Sequence, residues 1–580
     1  MWQYQAPLRD IRFVIEEWLK APEDWKAIPE FQSLDLDLAN QVVMEAARFS
    51  TEVLGPLNSS GDRQGCHFDN GKVSTPDGFP AAYSAYTEAG WPTLACAKED
   101  GGQGLPMLLV AALMEMLYSN NHAWAMYPGI AHGAYRCLRA HAPQKIRDLY
   151  LQALVTGEVL PTMCLTEPQA GSDLGLINSR AEAEGDDSYR LTGNKIFITG
   201  GEQDFTENIL HMVLARLPDA PKGPGGLSLF LVPKILPNGN RNHVFCTGIE
   251  HKLGIRGSAT CSMNFDAAKA WLLGEPNQGL AAMFIMINSA RLHIGLQGLG
   301  HAEAARQIAS GYASERLQMR AVKLPQQQPR GAADPIEYHP AIQQKLMQLK
   351  SSTEGMRTLG YWVAHLDDIS KHHSDSTQRV QAETWVRLLT PMIKAYFTEL
   401  GFNLSSSALQ VLGGHGYIQD NAIEQTLRDS RIAMLYEGTN EIQANDLLVR
   451  KVLGDDGAAL QSLILRYQEE ANVCSADSDC KHFSVALARV CSQLADISDE
   501  LISSSAHDPE APYFAAGEYL RIFGLVSFAF AWARSARLAR DKSDVPFYAS
   551  KLETAAYFFD QLRPEVNYRL ALIRSGFRSP

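Results

Sequence analysis

Apolar and polar positions follow different periods in different parts of the chain. Between residues 36 and 160, apolar residues recur every three or four positions, as in LDLANQVVMEAARFSTEVL and MLLVAALMEMLYSNNHAWAM, and this spacing predicts amphipathic helices. From 161 to 278, short runs such as YRLTGNKIFITG and LSLFLVPKIL are separated by Gly, Pro, Asp and Asn, as is typical of antiparallel strands. Helical spacing then returns and continues to the C-terminus. The pattern predicts an α+β protein with a β domain inserted between helical parts.

The same changes of pattern predict five parts. They are an N-terminal extension at 1–35, a helical domain at 36–160, a middle antiparallel β domain at 161–278, a helical bundle at 279–455 and an additional helical C-terminal domain at 456–580. A β domain between helical halves leaves a cleft at each seam, and ligands commonly bind in such clefts.

Two stretches need an interpretation of their own. The segment VKLPQQQPRGAADPIEYHP (322–340) is predicted as a loop, because its Pro, Gln and Gly content argues against a helix. The run FGLVSFAFAWA (523–533) is too short to cross a bilayer. We therefore predict a buried helix there, with a membrane-surface helix as the alternative.

Composition excludes several classes of function. The 580 residues carry a formal net charge of −13 and no long basic run, so nucleic acid is not expected as a partner. The nine cysteines form no CxxC pair, which favours a reduced compartment and no metal clip. Charged residues interrupt the apolar N-terminus, so no signal peptide is expected. Together these features predict a cytoplasmic protein, and the absence of HExxH, GKS/T and GxSxG patterns removes the usual markers of metal-dependent hydrolysis, phosphoryl transfer and α/β-hydrolase chemistry.

The stretch MCLTEPQAGSDLG (163–175) is the strongest local signal of a binding site. Thr166, Gly171 and Ser172 offer hydroxyls and open backbone N–H groups, which could hold a flat heterocycle and its phosphates. A tight loop capped by Ser172 and Asp173 is the alternative. The later strand KIFITGG adds an aromatic side chain at 197 and a hydroxyl at 199, which could flank the same ring.

Two glycine-containing segments lie further along the chain. QVLGGHGYIQD (410–420) fits a phosphate-approach loop or a helix C-terminus equally well, and His415 is interpreted as a satisfied polar residue. AMLYEGTNEIQ (433–443) places Glu437 between an apolar run and Gly438. That acid is either a helix-start residue favoured by the helix dipole or a carboxylate kept away from water.

Taken in order, CLTEPxAGSD, KxFITxG, KLGIRGS, SERLQM, QVLGGHGY and LYEGTNEIQ resemble the acyl-CoA dehydrogenase family. The N-terminal YQAPLRDIRFVIEE, the loop ending ADPIEYHP and the extra C-terminal segment resemble a long bacterial branch of it. The resemblance covers essentially the whole chain. It implies the acyl-CoA dehydrogenase fold, with an N-terminal helical domain, a middle β domain and a C-terminal four-helix bundle, followed here by a further helical domain.

The resemblance also implies a cofactor and a set of contacts. FAD would be held within one subunit by residues of the loop, the strand and the segment after Glu437, and by others reaching across a homodimer. The first group is Met163, Thr166, Gly171, Ser172, Phe197, Thr199, Thr439 and Glu441, and the second is Arg316, Gln318, Gln410, Gly413 and Gly414. Acyl-CoA would contact Ser172, Asn288, Arg291 and Gly438.

The reaction implied is removal of hydrogen from Cα and Cβ of a fatty acyl-CoA, giving a trans-2-enoyl-CoA, the first step of β-oxidation. Glu437 would take the α-proton, and the flavin would accept the β-hydride and pass electrons to an electron-transferring flavoprotein. Burial would raise the pKa of the carboxylate, while the thioester oxygen is held by hydrogen bonds. Some relatives place the base on the preceding helix, where this chain has Ala290, which cannot abstract a proton.

Departures from the family pattern occur at Asn288, where many relatives have an acid, and at Gln169, where glycine is usual. Gly295 and Gly298 are predicted near the end of the acyl channel, where small residues would favour a medium or long chain. The alternatives to a fatty acyl-CoA dehydrogenase are an acyl-CoA oxidase, a dehydrogenase of a methylthio-substituted acyl-CoA, and a flavin-free scaffold that keeps the fold.

Overall fold

A computed structural model describes residues 3–325, 328–329, 331–476 and 478–576. It contains two compact units. The sheet unit comprises 45–106 and 120–293, and the bundle unit comprises the described residues of 1–44, 107–119 and 294–580. The predicted order of helices, a β domain and further helices is confirmed, whereas the five-part division with its limits stays a prediction. Residues 326, 327 and 330 of the predicted loop lie outside the described residues.

The helices and strands are numbered along the chain. In the described residues the α-helices are α1 Leu8–Arg12, α2 Ala21–Trp25, α3 Leu36–Phe49, α4 Gly55–Gln64, α5 Phe79–Glu88, α6 Met107–Ala125, α7 Ala131–His141, α8 Gln144–Thr156, α9 Gly279–Glu315, α10 Pro340–His372, α11 Ser376–Leu412, α12 Ala422–Ser430, α13 Asn440–Asn445, α14 Ala458–Ser475, α15 Lys481–Ser505, α16 Ala511–Ala539 and α17 Pro546–Ser575. The strands are β1 His67–Asp69, β2 Lys72–Ser74, β3 Leu160–Cys164, β4 Arg180–Ala183, β5 Tyr189–Thr199, β6 Ile209–Arg216, β7 Leu227–Pro233, β8 Val244–Ile249 and β9 Thr260–Leu273.

The main sheet of the sheet unit closes on itself. Strands β6, β4, β5, β9 and β7 pair in a ring, because β7 also pairs with β6, and β3 and β8 flank the ring on β6 and β9. Most pairings are antiparallel, as predicted, but β6 runs parallel to both β3 and β4. The interior is filled by alternate apolar residues of β5, β6, β7 and β9, such as Leu191, Val213, Phe230 and Phe265. This alternation follows from the period of two in a strand.

A second, two-stranded sheet lies within the segment predicted to be helical. Strands β1 and β2 pair antiparallel around Asn70 and Gly71, which both have positive φ, 48° and 80°. Two such residues form the tight turn favoured in hairpins, and Asn-Gly is its commonest sequence. The Asn-Gly pair was therefore a signal for this hairpin, although 36–160 was predicted as a helical domain.

In the bundle unit, glycines bring α9 and α11 close together. A Cβ on Gly295 would lie 2.5 Å from Ile393 Cγ2, and one on Gly298 would lie 2.4 Å from the carbonyl oxygen of Phe397. Gly401 is matched in the same way to the backbone of Gly298. The prediction that Gly295 and Gly298 mark the end of an acyl channel was therefore wrong. Both are small because two backbones cross there.

The run predicted as a buried helix lies in α16, and Phe523, Val526 and Phe530 are fully buried, which confirms that prediction. Among the residues that the structure describes, two helices, Gly279–Glu315 and Ala511–Lys542, have the length and mean hydropathy, 1.3 each, of a membrane span. Their most apolar windows are, however, 67% and 78% buried inside the protein. Core helices of this kind meet the same length and hydropathy test.

Buried charges join the ends of the chain to the middle of the bundle unit. Arg357 on α10 is fully buried and donates to Glu115 on α6 at 2.6 Å and to Glu303 on α9 at 2.8 Å. Lys551 on α17 donates to Glu354 on α10 at 2.7 Å and to Asp10 on α1 at 2.5 Å. Breaking such a pair leaves an uncompensated buried charge, so Lys551 joins the last helix both to α10 and to α1 of the N-terminal extension.

Candidate active site

Glu437 lies in a short segment of the bundle unit between a 3-10 turn, Arg431–Met434, and α13. Its φ is 53°, and Gly438 after it has a φ of 85°. A left-handed backbone is disfavoured for a residue with a Cβ and, where observed, often marks a functional site. Thr439 is the N-cap of α13 and accepts from the N–H of Ile442 at 3.4 Å. Glu437 is therefore not the cap of this helix.

Interior side chains hold the backbone around Glu437. Lys394 on α11 donates through Nζ to the carbonyl of Gly438 at 2.6 Å and to Oδ1 of Asn440 at 3.1 Å. Gln443 donates through Nε2 to the carbonyl of Glu437 at 3.2 Å. Gly438 is needed here because its φ is positive and a Cβ would lie 2.7 Å from Gln443 Nε2.

The surroundings of the carboxylate differ from the expectation of a deeply buried acid. Glu437 is half-buried, and Leu435 is 47% exposed. Met434, in the same apolar run, is half-buried. The chain alone thus leaves this loop partly open. Of the two following residues assigned to FAD, Thr439 is half-buried and Glu441 is exposed, and a hydrogen bond from Thr439 lowers the pKa of Glu441 with help from the Lys394 cation.

In the sheet unit, Glu167 organises the loop after β3. Lys195 on β5 is fully buried and donates to Glu167 at 2.8 Å and to the carbonyl of Leu165 at 3.0 Å. Glu167 also accepts from Ser179 Oγ at 2.6 Å and from the N–H of Asn178 at 2.7 Å. Burial raises the pKa of Glu167, but Lys195 and these hydrogen bonds outweigh it, and the pKa falls to about 2.

The unusual residue of this loop has a structural role. Gln169 donates to Glu167 at 2.6 Å and to the carbonyl of Leu176 at 3.2 Å. Asp173 caps the next turn by accepting from the N–H of Gly175 at 2.9 Å. Gln169 thus fits where glycine is usual, because its amide adds a further donor to the buried carboxylate.

The loop residues assigned to FAD are arranged along one segment. Met163 and Thr166 are half-buried, whereas Gly171 and Ser172 are exposed. A Cβ on Gly171 would have no protein atom within 4 Å. The segment therefore leaves space next to its backbone.

Phe197 presents its ring to solvent at a β-bulge. The register of β5 against β9 shifts between Lys195 and Ile198, and Phe197 at the bulge has a φ of 60° and is 59% exposed. Bulges of this kind redirect a side chain beside active sites. The loop is tied to this strand by the N–H of Ile196, which donates to the carbonyl of Thr166 at 3.0 Å. Thr199 is half-buried and pairs with Thr260 across the sheet.

Arg316 and Gln318 follow the C-terminus of α9. The carbonyl of Arg316 accepts from the N–H of Ile336 at 2.9 Å, and the N–H of Gln318 donates to Asp334 at 3.0 Å. His339 Nε2 bonds the carbonyl of Gln318 at 2.9 Å. These backbone hydrogen bonds therefore join the two ends of the loop that follows α9.

The QVLGGHGY segment contains the C-terminus of α11, and its approach to a phosphate stays a prediction. Gln410 lies in the last turn of α11, and Gly413, with a φ of 57°, ends the helix. Cβ atoms on Gly413 and Gly414 would have no protein atom within 4 Å. His415 bonds Tyr312 on α9 at 3.1 Å, one turn before Arg316. Both segments assigned to a neighbouring FAD thus lie at one end of the bundle unit.

The residues assigned to acyl-CoA on α9 belong to the sheet unit. Asn288 is exposed, whereas Arg291 and Ala290 are buried, at 9% and 5% exposure. Asn288 and Arg291 are one turn apart on the helix.

The structure brings the predicted residues into separate groups: the loop and bulge of the sheet unit, the Glu437 turn, and the two segments joined by Tyr312 and His415. Sequence reasoning missed the residues that hold these groups, namely Glu167, Lys195, Lys394 and Gln443. A lysine within an apolar strand or helix, as in NKIFI and PMIKAYF, was the available signal, because a buried ammonium needs partners.

Comparison with known proteins gives matches over most of the chain. The acyl-CoA dehydrogenase middle domain matches residues 162–268, the acyl-CoA dehydrogenase C-terminal domain matches 277–451, and an acetyl-CoA dehydrogenase C-terminal-like domain matches 464–579. The chain is 37% identical to 3-methylmercaptopropionyl-CoA dehydrogenase of Ruegeria pomeroyi, over 97% of this chain and 96% of that protein. It is 32% identical to a broad-specificity linear acyl-CoA dehydrogenase of Mycobacterium tuberculosis, over 97% and 96% of the two chains.

The fold is also found among solved structures. An acyl-CoA dehydrogenase of Bacillus anthracis, complexed with FAD, superposes with a TM-score of 0.75 at 20% identity and covers 98% of this chain and 95% of that chain. This confirms the fold class predicted from the sequence. The family domains, the full-length relatives and the fold agree, and the chain belongs to the acyl-CoA dehydrogenase family.

Proposed function

We propose that this protein oxidises an acyl-CoA to the trans-2-enoyl-CoA and that Glu437 is the base. The observation that carries the proposal is the turn at Glu437 and Gly438. The left-handed backbone of this turn is held by Lys394 and Gln443. Glu437 carries its carboxylate there, and the cap of the following helix is Thr439 instead. An acid on a strained, anchored turn supports a catalytic role.

FAD is the cofactor, and the residues present fit it. Gly171, Gly413 and Gly414 have open space where a Cβ would point, and the Phe197 ring is exposed at a bulge. These features suit a ligand that lies against backbone and aromatic ring. The residues that would hold it are Met163, Thr166, Gly171, Ser172, Phe197, Thr199, Thr439 and Glu441, with Arg316, Gln318, Gln410, Gly413 and Gly414 supplied by a second subunit.

When bound, FAD would supply the acceptor for the hydride that leaves Cβ. The Glu437 carboxylate takes the proton from Cα, and the remaining electron pair forms the double bond. The N–H of Glu437 donates to the thioester oxygen, where negative charge develops, and one such donor in a preorganised site contributes about 3 kcal/mol. Arg291 and Asn288 contact the CoA portion, and Ser172 and Gly438 contact the substrate nearer the reacting carbons.

The substrate class favoured is a linear fatty acyl-CoA of medium or long chain, oxidised as the first step of β-oxidation. Similarity to a broad-specificity linear acyl-CoA dehydrogenase supports it. The 37% identity to 3-methylmercaptopropionyl-CoA dehydrogenase favours that short thioether substrate as the second candidate. Turnover across acyl lengths, with 3-methylmercaptopropionyl-CoA included and a dye as acceptor, separates the two.

We also propose an electron acceptor, an oligomeric state and a cellular compartment for this protein. Electrons pass to an electron-transferring flavoprotein, the enzyme is a homodimer in which each FAD is held by both subunits, and it works in the cytoplasm. An acyl-CoA oxidase would instead form hydrogen peroxide from oxygen during turnover. A colourless purified protein would indicate the flavin-free scaffold.

The experiment that tests the proposal is Glu437→Gln, assayed by dye reduction with a saturating acyl-CoA. The amide keeps the shape of the side chain but cannot accept the proton, and loss of a general base lowers the rate by about 10²–10⁴-fold. FAD content should stay at the wild-type level. Wild-type turnover in this variant would contradict the assignment of the base.

A further inference from the structure

Lys394 has a position that the overall reaction does not explain. It lies in the middle of α11 with 0% exposure, and burying an ammonium is costly unless its donors are satisfied. Two of its bonds go to the segment that follows Glu437: the carbonyl of Gly438 at 2.6 Å and Asn440 Oδ1 at 3.1 Å. The cation is therefore directed at the turn that carries the base.

The turn is held at two successive peptide units. The carbonyl of Glu437 accepts from Gln443 Nε2 at 3.2 Å, and the carbonyl of Gly438 accepts from Lys394. Because a peptide unit is planar, fixing both carbonyls also fixes the backbone on the C-terminal side of Glu437. The side chain of Glu437 leaves from the same left-handed residue, so its direction depends on these two bonds.

The neighbouring contacts hold Lys394 and the turn in register. Asn440 donates through Nδ2 to the carbonyl of Ala395 at 3.0 Å, and its Oδ1 lies 3.2 Å from the hydroxyl of Thr398. Both contacts return to α11 within one turn of Lys394. A left-handed conformation at a residue other than glycine persists only where the surroundings impose it, and here α11 imposes it.

We propose that Lys394 is a positioning residue, whose ammonium holds the left-handed turn at Glu437 and Gly438 and so fixes where the base stands. This inference rests on the proposed function, because it assumes that Glu437 is the base. Without Lys394, the turn relaxes toward ordinary backbone angles and the carboxylate moves. A displacement of about 1 Å can cost about 100-fold in rate.

The test separates the position of the base from the rest of the reaction. A linear acyl-CoA with sulfur in place of Cβ has no β-hydrogen, so only the α-proton can be exchanged. When the FAD-loaded enzyme is mixed with this thioester in D₂O, NMR follows the replacement of the α-proton by deuterium. This exchange reports proton abstraction alone. Amide hydrogen exchange of the peptide containing 433–443 reports the order of the turn without any substrate.

The variants are Lys394→Met and a matched control, Lys451→Met. Lys451 also donates to a backbone carbonyl of α11, that of Arg387, and it pairs with Asp446 at 3.5 Å, beyond the end of α13. For Lys394→Met we expect α-exchange about 100-fold slower, faster amide exchange in 433–443, and unchanged FAD content. Lys451→Met should keep the wild-type values of all three.

Wild-type α-exchange and wild-type amide exchange in Lys394→Met would overturn the positioning role. Glu437→Gln distinguishes failure of the base assignment from failure of the positioning role. If Glu437→Gln exchanges the α-proton at the wild-type rate, the base assignment fails. If Glu437→Gln exchanges slowly but Lys394→Met exchanges at the wild-type rate, only the positioning role fails. If Lys394→Met does not fold, Lys394→Gln is used in its place. Its polar side chain is too short to reach the carbonyl of Gly438, so we again expect slower α-exchange and faster amide exchange. Wild-type behaviour there would equally refute the inference.

Discussion

The ion pair between Glu167 and Lys195 should govern the affinity for FAD. Glu167→Gln keeps the shape of the side chain and removes the charge that Lys195, Ser179 and Asn178 all contact. The amide cannot satisfy all of these donors, and the Lys195 ammonium is left buried without its carboxylate. The loop that carries Thr166 and Ser172 is expected to lose its fixed shape.

The pKa of Glu167 gives the size of the effect. At about 1.4 kcal/mol for each pKa unit, the fall from 4.5 to about 2 corresponds to about 3 kcal/mol of stabilisation. Removing one member of a buried pair typically costs about 3–5 kcal/mol, which agrees. If this energy orders the loop for FAD, its loss raises the Kd for FAD about 100-fold.

The pH dependence of that stabilisation has a definite sign. The pKa of Glu167 is lower in the folded protein than its ordinary 4.5, so the stabilisation is complete above about pH 4.5 and is lost as the pH falls toward 2. Glu167→Gln lacks this group and should show a smaller loss of stability over that interval.

The assay is titration of the apoenzyme with FAD, followed by quenching of flavin fluorescence. Glu202→Gln is the matched control: Glu202 is also a buried acid of the sheet unit and pairs with Lys234 and Arg241, but it contacts none of the residues that Glu167 contacts. It should lower the unfolding midpoint while keeping the FAD affinity. Equal FAD affinity for Glu167→Gln and the wild type would refute the reasoning.

Two further predictions concern the bundle unit. Gly298→Ala places a Cβ 2.4 Å from the carbonyl oxygen of Phe397. This overpacking should cost about 1–3 kcal/mol and lower the thermal midpoint in calorimetry. In the control Gly311→Ala, on the same helix, the new Cβ has no atom within 4 Å, and the midpoint should stay the same or rise. Burial raises the pKa of Asp10, but Lys551 and Arg357 outweigh it and hold that pKa below its usual range. The difference in urea midpoint between wild type and Asp10→Asn should therefore shrink as the pH falls from about 5 to about 3, and a constant difference would contradict this.

The sequence predicted the fold and the family because the motifs are local. Loop, bulge strand and base segment each lie within a dozen residues, and their order was sufficient to indicate the family. What holds them is not local: Lys195 meets Glu167 across 28 positions and Lys394 meets Gly438 across 44. A spacing argument cannot find such partners, although each lysine in an apolar run indicated that one existed.

The glycines show the same limit. Gly295 and Gly298 were interpreted by size alone, and size fits a channel as well as a helix crossing; only the neighbours Ile393 and Phe397 decide between them. Asn70 and Gly71, in contrast, could have been predicted as a hairpin turn, because their preference for positive φ is intrinsic. The burial expected for the Glu437 side chain was overestimated, because the apolar residues before it in the sequence do not reveal that Leu435 is exposed.

The central claim is that the carboxylate of Glu437 removes the α-proton of an acyl-CoA. The most direct measurement is the rate at which deuterium from D₂O replaces that proton in the β-sulfur thioester, compared between wild type and Glu437→Gln at equal FAD content. We predict measurable exchange in the wild type and a rate lower by about 10²–10⁴-fold in the variant. Equal rates in the two proteins would contradict it.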